Sequence, residues 1–146
     1  MERIINKLHT GNYSCVVENY DETYTFSQCG VADLLDMVKN KRCFLKEASV
    51  ADKVVGKAAA ALLILGEITE VYTDIISLSA LVLLREAGIK TDFGHVVPFI
   101  LSHDKKEWCP LERLCYNESS VTTILSLIDE FVQKTEEVDM FESIPL

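Results

Sequence analysis

The chain has 146 residues, 49% of them hydrophobic and 25% charged, with only 6 Gly and 3 Pro. That profile fits one compact domain over 1–146 and excludes a disordered, fibrous or low-complexity chain. The net charge of −9 argues against nucleic acid as a partner, because backbone binders need a clustered basic footprint.

The N-terminal Met1–Leu8 reads as a short amphipathic segment. It lacks the long apolar run and small-residue cleavage site of a secretory signal. Tyr13–Asn19 and Thr23–Ser27 are rich in β-formers around a turn at Tyr20-Asp21-Glu22, which predicts an antiparallel hairpin. Gly30 opens a short helix with Val31, Leu34, Leu35 and Val38 on one face. Lys39-Asn40-Lys41-Arg42 reads as its solvated end. Cys43–Val50 fits either a loop or a short strand.

The next helix is expected to start near Asp52-Lys53, capped by Asp52 or Ser49. It runs through an apolar body, Val54 to Leu65, to a left-handed cap at Gly66. A strand over Ile68–Ile76 follows, then a helix over Leu78–Ala87 capped by Ser77 and stopped by Gly88, then a strand over Ile89–Phe93. Strand–helix–strand alternation of this kind predicts a mainly parallel sheet with right-handed crossovers, behind the antiparallel hairpin. Val96–Ile100 reads as an edge strand or a turn of helix, since Pro98 forbids a central strand. His103–Glu107 reads as a polar loop, and Cys109-Pro110-Leu111-Glu112 as a helix start with Pro at its first position. Residues 119–137 form a last amphipathic helix, with Val121, Ile124, Leu125, Ile128, Phe131 and Val132 on its apolar face and a loosely held tail after Glu137.

The longest apolar stretch, Ala58–Leu65, is far shorter than the about 20 residues that span a bilayer. The expected compartment is therefore the cytoplasm, with no membrane partner. The 5 cysteines are expected as reduced thiols there.

Candidate chemistry gathers at the helix starts. Lys53 and Lys57, four apart, would share one helical face and make an anion cradle with the backbone N–H groups. The competing reading has both lysines reaching to water or pairing with acids. Gly56 reads as room for close helix–sheet approach. In a parallel sheet Ser77 would lie on the same carboxyl edge, where open α/β sheets bind ligands, although capping alone would also explain it. Cys109 at a helix N-terminus could be an activated thiol, but Glu112 on the same side disfavours the thiolate. A ligand-contact or structural role is the better reading. No Cys-x-x-Cys, His-Glu-x-x-His, phosphate loop or Gly-x-Ser-x-Gly pattern occurs, so no metal and no cofactor is expected.

Ala51-Asp52-Lys53-Val54-Val55-Gly56-Lys57-Ala58-Ala59-Ala60, joined downstream by Cys109-Pro110-Leu111-Glu112, resembles an uncharacterised bacterial family of domains of unknown function placed among cytidine-deaminase-like folds. The resemblance runs from about Tyr13 to Cys115. It implies an α/β fold: a three-layer α/β/α sandwich whose mixed sheet begins with the antiparallel hairpin. Zinc deaminases of that fold hold the metal with His-x-Glu at one helix start and Pro-Cys-x-x-Cys at the next. Here those starts are expected at Asp52-Lys53-Val54 and around Ile76-Ser77-Leu78-Ser79, and neither carries the ligands or the general-acid/base Glu.

The leading expectation is a zinc-free, deaminase-like protein that binds a small anionic or nucleotide-like ligand. Asp52, Lys53, Lys57 and Ser77 would line the pocket, with Cys109 and Glu112 walling it. The alternatives are a transferase-type enzyme with Cys109 as nucleophile, and a non-catalytic module that forms a homodimer through its last helix.

Overall fold

A computed structural model describes residues 1–28, 31–102 and 107–142, with 136–142 described by backbone alone. The helix start expected at Gly30 and most of the loop expected over His103–Glu107 lie outside the described residues.

The N-terminal segment forms α1 (Glu2–Thr10). The hairpin follows as β1 (Cys15–Asn19) and β2 (Glu22–Phe26), paired from Cys15↔Phe26 to Asn19↔Glu22. That register leaves Tyr20 and Asp21 as a two-residue turn with φ of 51° and 63°, the left-handed pair that suits the twist of a tight hairpin. Next come α2 (Ala32–Asn40) and a single turn, α3 (Arg42–Leu45), where the sequence fitted a loop or strand.

The region around Asp52 departs most from expectation. Ser49–Val55 is a strand, β3, and the following helix, α4, begins only at Lys57 and ends at Leu65. Asp52 and Lys53 therefore lie within a strand and share no helical face with Lys57. A central strand covered on both sides loses the apolar–polar alternation that marks a strand. Val50, Ala51 and Asp52 are all buried, so the run mimicked a buried helix. Gly66 is also different, with helical φ at −74°, and the left-handed residue is Glu67 at φ 58°. Gly66 matters for space instead, because a Cβ there would stand 2.9 Å from Leu45 Cδ1.

Strand β4 (Glu70–Ser77), helix α5 (Leu78–Glu86) and strand β5 (Lys90–Val97) complete the sheet. Strand β5 runs past Phe93 to the residue before Pro98, which its edge position permits. The order is β2-β1-β3-β4-β5. Strand β1 is antiparallel to β2 and β3, and β3, β4 and β5 are parallel. The chain closes with α6 (Pro110–Cys115) and α7 (Val121–Glu142), whose backbone stays helical beyond the expected end at Glu137.

Helices cover both faces of this mixed sheet. Alternation in β1 and β3 sends Val17 and Val50 into the main core, and Val16 and Ala51 to the opposite face, under Ile4 and Leu8 of α1. The main core is filled by α2, α4, α5 and α7. Ile124 and Ile128 of α7 are fully buried in it, so the apolar face of the last helix packs within the chain. No helix among the described residues is long and apolar enough to cross a membrane.

The parallel strands roll part-way along. Val50 and Val55 both join the main core, as do Val71 and Ile76, although five-residue steps would place them on opposite faces of a regular strand. The roll sits where backbones crowd: a Cβ on Gly94 would lie 2.8 Å from the Asp74 carbonyl oxygen. Gly94→Ala is therefore expected to cost about 2 kcal/mol, read as a lower denaturation midpoint. An unchanged midpoint would mean that this row of the sheet is looser than its spacing indicates.

Candidate functional site

Helix α4 opens without a capping side chain of its own, because its N-cap is Gly56. The first N–H groups of a helix still need partners. Glu112, from α6, supplies one. Its Oε1 accepts the Lys57 N–H at 3.0 Å and the Ser77 hydroxyl at 3.3 Å, while Oε2 accepts the Ile100 N–H at 2.8 Å. Ser77 Oγ in turn accepts the Ala80 N–H and caps α5, as the sequence indicated. One carboxylate, itself only 2% exposed, thus ties together the starts of α4 and α5 and the chain after β5. The helix dipole and charge-assisted hydrogen bonds favour an anion there. Gly56 leaves room for it, since a Cβ would meet Glu112 Oε2 at 3.1 Å and Ile100 Cγ1 at 3.2 Å.

The cradle expected from Lys53, Lys57 and the helix amides does not form as such: Lys53 lies in β3, and the Lys57 amide at the actual helix start is taken by Glu112. The Lys57 stem is buried, and its ammonium donates to the Tyr116 carbonyl at 2.8 Å. No carboxylate among the described residues pairs with that ammonium. Cys115 reports the same cluster. Burial pushes its thiol up to about 11, the Lys57 charge opposes the rise, and Glu112, Cys109 and Glu118 add to it. Cys109 precedes Pro110 at the start of α6 and is half-buried.

Three expected site residues, Lys57, Ser77 and Glu112, thus come together directly, with Cys109 at the edge of the group. Asp52 and Lys53 do not join them. Lys53 Nζ donates to Asn12 Oδ1, at the end of α1. Asp52 faces Cys15 across the β1–β3 pair and accepts the Val54 N–H at 3.2 Å. Burial raises its carboxyl from the ordinary 3.8 to about 7. Hydrogen bonds from the Val54 N–H, the Cys15 thiol and the Lys53 N–H resist that rise, and the charge of Asp74 adds to it. Cys15 is raised well above its usual range by burial and then by Asp52. It is a structural thiol, with no activated character.

Around the cluster stand residues that no sequence motif singled out. Phe99 and Trp108 stack with centroids 4.3 Å apart, Tyr116 meets Trp108 edge-on at 4.9 Å, and the Arg113 guanidinium lies 6.0 Å from the Trp108 ring. The only available signal was the clustering of Trp108, Arg113 and Tyr116 around Cys109 and Glu112. Among the described residues no group of three or more His, Cys, Asp or Glu side chains is placed to hold a metal ion.

Residues 3–132 match the family described as TM1506, a domain of unknown function, DUF1893. The chain belongs to the DUF1893 family. A crystal structure of a DUF1893 family protein, TM1506 from Thermotoga maritima, is similar in fold. It is 24% identical, with a TM-score of 0.81 over 88% of this chain and 87% of that one. No curated protein matches the sequence. The likeness to the Thermotoga protein is thus one of fold over most of this DUF1893 chain.

Proposed function

We propose that this DUF1893 protein binds a small anionic, nucleotide-like ligand at the carboxyl edge of its sheet, in a deaminase-like framework without zinc chemistry. The observation that carries this reading is the Lys57 ammonium. It sits on a buried stem, has one neutral carbonyl partner and makes no ion pair among the described residues. Buried charges are ordinarily paired, and an ammonium has three donors. A phosphate or carboxylate from a ligand would complete its surroundings. Open α/β sheets hold ligands at this edge.

Glu112 narrows where such a ligand sits. Its two oxygens already take the Lys57 amide, the Ser77 hydroxyl and the Ile100 amide. The ligand's anion would therefore meet the Lys57 side chain on the rim, and the inner helix amides stay with Glu112. Asp52 and Lys53 drop out as contacts, Ser77 and Glu112 organise the edge, and Cys109 borders it. Residues at these helix starts do not fit a deaminase zinc set. The starts read Gly56-Lys57-Ala58 and Ser77-Leu78-Ser79, and the nearby carboxylate is engaged by hydrogen-bond donors.

A panel of nucleoside monophosphates, sugar phosphates and inorganic phosphate, scanned by thermal shift, tests the reading. A true ligand at 100-fold its Kd stabilises by about 2.7 kcal/mol, about 5 °C or more for a domain of this size. Lys57→Met keeps the apolar stem and should abolish the shift. A panel without any shift, or identical shifts in both proteins, would overturn the proposal.

A further inference from the structure

The aromatic group beside Lys57 indicates what else such a ligand carries, an inference that rests on the anion reading above. Tyr116 belongs to both features. Its carbonyl accepts from the Lys57 ammonium at 2.8 Å, and its ring meets the edge of Trp108 at 4.9 Å. Phe99 backs Trp108 in a stacked pair at 4.3 Å, with their planes 26° apart. The backbone holds this arrangement in place. The Cys109 N–H donates to the Ile100 carbonyl at 2.8 Å, Leu101 and Trp108 form a bridge, and Ile100 is anchored on Glu112. The rings are thus fixed to the same segments that form the anion edge.

Two further facts point outward. Tyr116 remains 42% exposed. Arg113 is exposed, and in a chain of net charge −9 it makes no ion pair among the described residues; its guanidinium lies 6.0 Å from the Trp108 ring. Aromatic rings flanked by a guanidinium form a stacking surface for planar, electron-poor heterocycles. An arginine in that place also favours a ligand that bears negative charge.

We propose that Trp108, Tyr116 and Arg113 form a stacking platform for the heteroaromatic base of a nucleotide whose anionic group reaches Lys57. The base lies against the exposed aromatic surface, with the phosphate directed to the ammonium. This assigns the ligand class as nucleoside monophosphates and related base-bearing anions, as opposed to simple sugar phosphates.

Trp108 is the protein's single tryptophan, so its fluorescence reports the platform directly. Adenosine and cytidine monophosphates, ribose 5-phosphate and inorganic phosphate are titrated into the full chain, with Trp108 emission and calorimetry followed in parallel. A nucleotide is expected to change the emission saturably and to bind tenfold or more tightly than ribose 5-phosphate. Tyr116→Ala, which keeps the carbonyl that Lys57 uses, and Arg113→Ala are surface changes expected to weaken nucleotide binding about tenfold. Equal, Lys57-dependent binding of nucleotide and ribose 5-phosphate would overturn the platform and leave the anion site standing. Nucleotide affinity unaffected by Tyr116→Ala and Arg113→Ala would also overturn it. Absence of any binding would remove both readings together.

Discussion

Truncating Glu112 to alanine is expected to lower stability by about 3 kcal/mol or more, and the melting temperature by about 10 °C. The residue is 2% exposed, and its carboxylate is the acceptor for Lys57 N–H, Ser77 Oγ–H and Ile100 N–H. Removing it strands donors at the starts of two helices and leaves a void. Glu112→Gln separates shape from charge. The amide fills the same space, but whichever way it is turned its NH₂ faces a donor, the Ile100 amide or the Lys57 amide. Its cost should fall between wild type and alanine, near 1–2 kcal/mol. Acetate, which replaces the atoms that the truncation removes, should raise the melting temperature of Glu112→Ala more than that of wild type. Denaturant unfolding and thermal melts check the series. If Glu112→Ala matched wild type, the carboxylate would not be what joins these elements.

Asp52 carries the second large effect, of opposite sign. Its carboxyl is raised from 3.8 to about 7, chiefly by burial. Between those values the native chain holds a proton that the unfolded chain has released. Stability therefore falls as pH rises through that window and levels off above about 7. At 1.36 kcal/mol per pH unit, the gap sets a contribution on the order of 4 kcal/mol. Asp33 is raised as well, by burial and then by Asp36, and adds in the same direction. Asp52→Asn keeps an oxygen for the Val54 N–H and removes the buried charge. The variant should be more stable than wild type at pH 8, about equal at pH 4, and much flatter in between. Unfolding free energies at a series of pH values decide this. A wild type that gained stability from pH 4 to 7, with Asp52→Asn following the same curve, would refute it.

Legibility in the sequence varied with the physics of each segment. The hairpin was readable because β-formers flank a short polar turn, and α5 because Ser77 and Gly88 mark its ends with local chemistry. The last helix was readable from its 3.6-residue period. Strand β3 was not, since burial on both faces erased the alternation that distinguishes a strand, and its apolar run continues directly into α4. The boundary rests on Gly56, whose role depends on the Glu112 carboxylate, far along the chain. For the site, Lys57, Ser77 and Glu112 could be picked by residue type and position, but their contacts could not. The sequence gives no sign that Glu112, expected to wall the pocket, takes the Lys57 amide itself. Neither Tyr116 nor Arg113 sits in a motif, and the fold brings Tyr116 to Lys57 and sets both Tyr116 and Arg113 against Trp108.

The most direct measurement of the account is calorimetric titration of a nucleoside monophosphate into wild type and Lys57→Met, both shown to be folded at the working temperature. Saturable one-to-one binding to wild type, weakened at least about tenfold by the substitution, is the predicted result. Equal affinity in the two proteins would contradict it and place any ligand away from the sheet edge where Lys57 stands.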